Sequence, residues 1–316
     1  MESRYIAWKS KLVDMAEEAK FTPPIYIIVG WAILIFLFVP IPGYMAGQNF
    51  TDPAWQLLVG ELILAFGAMA AAVLLFVRFA ERRPISTTGL IKDNALKRWG
   101  KGFGLGAGVF LVIALVSTIL GGYTISFSGS GIGLSALPMI VLMLVGWTIQ
   151  AGTEELVARG WLMPHLSKRY NVWIGIVGNA LLFLLMRGMN PAVGFLPFVN
   201  IGLFGVIMSI IALWQGEIWT VAGIHAAWNF VQSSILGMHV TGTSTAQHSL
   251  VQLVPQNVGI ISGGAFGLEG SVITTVVLAG ILMFVLRKWT TELYVTQRQK
   301  AWKKNKSDKK KTDKKK

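Results

Sequence analysis

The sequence predicts an all-α membrane protein, a bundle of about eight transmembrane helices with one interfacial helix. Three observations predict it. The 316 residues are 53% hydrophobic and only 14% charged, with a mean hydropathy of +0.59, whereas soluble domains carry roughly 25% charged residues. The apolar residues come in runs long enough to cross a bilayer. The basic residues collect in alternate loops, as a polytopic chain requires. Disorder is excluded, since it needs low hydrophobicity. Cysteine is absent, which excludes disulfides, a thiol nucleophile and a thiolate metal site.

Taken in order, residues 1–22 form a charged, amphipathic, cytoplasmic segment without the pattern of a secretory signal, and the first apolar run starts near Pro23. Residues 23–290 are the transmembrane domain, with spans expected at about 24–46, 55–77, 103–121, 132–153, 172–189, 194–214, 218–238 and 270–286. Glycine and proline punctuate several of them, which bundles tolerate where neighbours satisfy the freed backbone groups. Between the fourth and fifth spans, Glu154 to Asn171 is polar with a helical pattern and is expected at the interface. No internal repeat is evident, so a transporter of inverted halves is not argued. Residues 291–316 read as a basic, disordered cytoplasmic tail. Its lysine run from Lys303 to Lys316 suits anionic lipid, at about 1 kcal/mol per basic residue near the surface. Nucleic acid is not expected, because only Trp302 offers a nearby stacking platform.

The basic residues set the orientation. Residues 1–22 hold four, Arg78 to Lys101 hold seven and the stretch beyond Leu286 holds thirteen, while 47–54, 122–131 and 239–269 hold none. The positive-inside rule then places both termini in the cytoplasm, and the membrane is read as the plasma membrane.

Ionisable side chains within spans are costly and are functional candidates by default. Glu154 and Glu155, Arg187 and His225 qualify, with Asn229 one helical turn beyond His225. Glu61 also qualifies, but reads as an interfacial or helix N-terminal acid, and His165 as an ordinary residue of an amphipathic surface helix. In Glu154-Glu155-Leu156-Val157-Ala158-Arg159, Glu155 and Arg159 stand at i and i+4 with the acid first, the favourable order for an ion pair. Glu154 is rotated about 100° away, aimed elsewhere, and a carboxylate held out of water is a candidate general base. The alternative is that both acids cap the interfacial helix. His225 and Asn229 share a face and can both donate to a developing oxyanion; the alternative is an interhelical polar clasp.

Together these residues resemble the CAAX prenyl-protease and bacteriocin-processing family of intramembrane endopeptidases, the Abi family, whose pattern is Glu-Glu-x-x-x-Arg, Phe-x-x-x-His, then His-x-x-x-Asn on successive helices. Glu154 to Arg159 matches the first motif and His225 to Asn229 the third, and the likeness extends over about 85–235. The second motif departs: Phe183-Leu184-Leu185-Met186-Arg187 carries arginine where the family has histidine. The resemblance implies that Glu154 and that histidine would activate a water, Glu155 and Arg159 would brace the site, and His225 with Asn229 would bind the oxyanion. Arginine cannot accept a proton there. The centre is then impaired, inactive or shifted in role; alternatively Arg187 snorkels outward or makes a structural ion pair with Glu154.

The reading is therefore an intramembrane endopeptidase acting near a substrate C-terminus or leader, on a peptide or protein with a membrane-associated segment. Its rival is a non-catalytic scaffold or bacteriocin-immunity protein binding a peptide in the same cavity. These roles require no cofactor. Family members are often labelled metalloproteases, so metal stays open.

Overall fold

The computed structural model describes residues 11–16, 23–129, 131–188, 194–240, 248–256 and 259–313, and for 186–188 and 293–313 the backbone alone. Among the described residues the fold is all-α apart from one antiparallel pair of short strands that lie far apart in sequence. In order the helices are α1 (Lys11–Ala16), α2 (Ile25–Gly47, with a turn before Pro40), α3 (Pro53–Ala80), α4 (Ala95–Ile119), α5 (Leu134–Arg169), α6 (Val172–Gly188), α7 (Phe195–Gln215), α8 (Trp219–Phe230, continued to Ile235 by a wider turn) and α9 (Val272–Asp313).

Six of these are long and apolar enough to cross a membrane: α2, α3, α4, α5, α7 and the first part of α9. This is an integral membrane protein. The two other expected spans are helices as well, but shorter ones. The apolar part of α6 is Val172–Leu185, and α8 is buried along nearly its whole length rather than facing lipid.

The expected interfacial helix at 154–171 is not a separate element. Residues 156–169 continue α5 and are almost wholly buried, and the hydrogen bonding widens to the π-helical pattern over Leu156–Leu162. A polar segment can be buried when its charges find partners, and here they do. His165, expected on a surface, is 1% exposed and bound to Glu81. Glu61 is half-buried in α3, about two helical turns beyond its start. Beyond the last span the helix runs on to Asp313 where a disordered tail is expected. After Gly280 the sequence contains no glycine or proline, and its lysines, glutamines and alanine favour helix.

Two local devices position the centre of the bundle. Gly216 ends α7 in the left-handed region (φ +67°), its N–H donating to the Ala212 carbonyl at 2.9 Å, the usual glycine C-terminal stop. The next residue, Glu217, accepts through Oε2 from the backbone N–H of Trp219 at 2.5 Å and Thr220 at 3.2 Å, which caps α8 at once. The reversal is thus only three residues long. Second, α8 packs against α4 and α5, and a Cβ on Gly223 would lie 2.1 Å from the Trp99 carbonyl oxygen. Only glycine allows that approach, and Gly223 stands two residues before His225.

The strands β1 (Tyr123–Ser126) and β2 (Gln252–Pro255) pair antiparallel, tying the 120–133 connection to the loop before α9. Tyr123 donates from its hydroxyl to the Ser262 carbonyl at 2.6 Å, and burial pushes that hydroxyl's pKa up.

Candidate functional site

Arg159 is fully buried on α5. Its Nη1 donates to Glu155 Oε1 at 2.8 Å and its Nη2 to the Gly205 carbonyl of α7 at 3.2 Å. The guanidinium carbon lies 4.1 Å from the centre of the Phe183 ring on α6, a cation–π contact. Ser209 donates to the same Gly205 carbonyl at 2.7 Å, and the Asn179 carboxamide lies 2.6 Å from the Ser209 hydroxyl. One guanidinium therefore ties α5, α6 and α7 together. The i, i+4 pair expected from sequence is present within α5, and its guanidinium reaches on to α6 and α7.

Glu155 turns the same oxygen to α8, where His225 Nδ1 lies 2.9 Å from Oε1. On the other side of the ring, His225 Nε2 is 3.7 Å from Glu154 Oε2. The imidazole, 3% exposed, stands between two carboxylates, with the Phe204 ring edge-on to it at 5.6 Å and the Phe183 ring tilted at 6.3 Å. Each carboxylate thus faces one ring nitrogen and can accept from it when that nitrogen carries a proton.

One turn along, Asn229 Nδ2 donates to Gln150 Oε1 at 2.8 Å. His225 and Asn229 both line a cavity of about 50 Å³, together with Phe183, Phe204, Trp228 and Glu269, which leaves space for a few waters. Glu269, from the loop before α9, accepts from the Trp228 indole at 3.0 Å. Glu61 is not among the residues that line it.

Of the six residues singled out from sequence, Glu154, Glu155, Arg159 and His225 form one cluster, and Asn229 joins it at the cavity. Arg187 lies in the last turn of α6, and its side chain lies outside the described residues. Sequence reasoning missed Gln150, Gly205, Asn179 and Glu269. Gln150 carried a usable signal, a carboxamide in an apolar span four residues before Glu154. No three of His, Asp and Glu among the described residues are grouped to hold a metal ion.

A second buried cluster was also missed. Glu81, just past α3, takes Oε1 to Trp161 Nε1 at 2.9 Å and His165 Nε2 at 2.7 Å, and Oε2 to Arg83 Nε at 2.5 Å. Arg83 Nη1 donates onward to the carbonyl and hydroxyl of Thr87. Burial alone would raise the Glu81 carboxyl, but bonding and charge from His165 and Arg83 outweigh it and bring the carboxyl down to about 2. The cluster clamps the loop before α4 onto the extension of α5.

No curated protein and no solved structure matches the chain. Gln150, both carboxylates, Arg159, His225 and Asn229, the last of which lines the cavity with His225, all lie within residues 135–231, and those residues match the family model of the type II CAAX prenyl endopeptidase Rce1-like proteins.

Proposed function

We propose that the protein is an intramembrane endopeptidase of the CAAX-protease type. The observation that carries this reading is the imidazole of His225 between two carboxylates, 2.9 Å from Glu155 and 3.7 Å from Glu154, beside a cavity with room for water. Glu154 takes a proton from that water as its oxygen attacks the carbonyl carbon, and returns it to the leaving amine. The developing oxyanion is met by His225 and Asn229 from the cavity wall. Glu155 and Arg159 do no chemistry and hold the ring and the helices in register.

Arg187 is where this chain departs from the family. Arginine cannot accept a proton or a hydrogen bond, and it is bulkier than the imidazole it replaces. The substrate class that fits is a peptide or protein with a membrane-associated segment, reaching the site from the cytoplasm. Both termini are cytoplasmic in this reading, the membrane is the plasma membrane and the lysine-rich end of α9 lies against anionic lipid.

The test is a cleavage assay on prenylated C-terminal peptides, peptide pheromones and bacteriocin precursors, comparing the chain with Arg187→His. Little cleavage is expected from the chain as it stands, with gain in the histidine variant and loss again on adding Glu154→Gln. Robust cleavage by the unmodified chain, abolished by Glu154→Gln, would show that Arg187 is tolerated. The arginine at position 187 also favours a second reading, a non-catalytic scaffold or immunity protein binding a peptide in the cavity. Absence of cleavage from both chain and variant, across all three peptide classes, would favour it.

A further inference from the structure

The roles above leave one buried carboxamide of the site without a task. Gln150 is 2% exposed on α5, four residues before Glu154, so the two side chains share a face one turn apart. On α8 Asn229 stands in the same relation to His225. Where α5 and α8 pack together, the two helices meet in two rungs. One runs from Glu155 Oε1 to His225 Nδ1 at 2.9 Å, and the next from Gln150 Oε1 to Asn229 Nδ2 at 2.8 Å.

We infer that Gln150 is a positioning residue that fixes which end of the Asn229 carboxamide acts in the cavity. A carboxamide has a donor end and an acceptor end, and half a turn about its last bond exchanges them. Gln150 offers its oxygen to Asn229, which holds the NH2 group in place. One N–H is spent on Gln150, and the other, on the same nitrogen, stays available to an oxyanion. Without Gln150 the group can turn and present Oδ1, whose lone pairs repel the charge they should stabilise. An apolar side chain of similar size would pack in the same space but could not choose between these ends. The inference rests on the oxyanion role proposed for Asn229.

The experiment is a double-mutant cycle of Gln150→Met and Asn229→Ala, run in the full chain and again with Arg187→His, reading kcat and KM. Gln150→Met is expected to lower kcat by up to about 100-fold, the lower end of what removing one oxyanion donor costs, with KM little changed. In the Asn229→Ala background it should have no further effect, because the residue it positions is gone. A purely structural Gln150 would instead add its loss to that of Asn229→Ala, and that additivity, or an unchanged kcat, overturns the inference while leaving the protease reading intact. Should Gln150→Met fail to fold, Gln150→Glu keeps an acceptor at the same reach and is expected to keep kcat close to the parent's. A folded Gln150→Glu as impaired as Asn229→Ala overturns the inference. Absence of cleavage in both backgrounds overturns the protease reading and the role of Gln150 with it.

Discussion

At Glu155 one carboxylate oxygen serves both the Arg159 guanidinium and the His225 ring, with no exposed surface on either Glu155 or Arg159. Removing the acid therefore strands a cation away from water. Glu155→Gln is expected to cost about 3–5 kcal/mol, the usual result of breaking a buried pair from one side, read as a lower melting midpoint in detergent. The double variant Glu155→Gln/Arg159→Met should recover much of that loss, and a double variant no more stable than the single would contradict the account. Glu81 gives a pH prediction. Its carboxyl sits at about 2 against an ordinary 4.5, so its contribution is fully present above 4.5 and is lost as pH falls toward 2. The contribution is about 3 kcal/mol. The melting midpoint should change little from this group down to pH 4.5 and fall below it, and the fall should be shallower in Glu81→Gln. The i, i+4 pairs at 155/159 and 225/229 could be read from sequence because helical geometry alone puts them on one face. The bonds from Gln150 to Asn229 and from Glu81 to His165 span 79 and 84 residues, and no local rule reaches that far.

The helices show the same division between local and long-range information. Their apolar runs gave their places, but not which polar segment would be buried. The extension of α5 reads as interfacial because its charges are plentiful, and it is buried because Glu155 and Glu81 meet partners on other elements. The contact of α8 with α4 depends on Gly223, where a Cβ would meet the Trp99 carbonyl at 2.1 Å. Gly223→Ala is expected to push the two helices apart at a cost of about 1–3 kcal/mol, seen as a lower melting midpoint. In the active background it should also cut cleavage, since His225 moves with α8. A Gly223→Ala protein of unchanged stability would show that the helices can separate freely.

For the whole molecule, orientation follows from where the basic residues lie. Because the chain has no cysteine, single cysteines report it directly. Ser128→Cys, exposed in the connection before α5, is expected to react with an impermeant reagent added to intact cells, and Ser307→Cys only after the membrane is opened. Reaction of Ser307→Cys in intact cells would reverse the topology.

The short helix α6 bears on the surrounding membrane. Its inner face sets Phe183 over Arg159, while Val177, Leu181 and Leu185 are exposed on its outer face, the side left to acyl chains. Its 17 described residues rise about 25 Å, against a hydrocarbon thickness of ~30 Å. A wall of that height, beside the cavity that Phe183 lines, is expected to draw the leaflets together there. A thinned patch at that point would give water and an extended peptide their shortest way in.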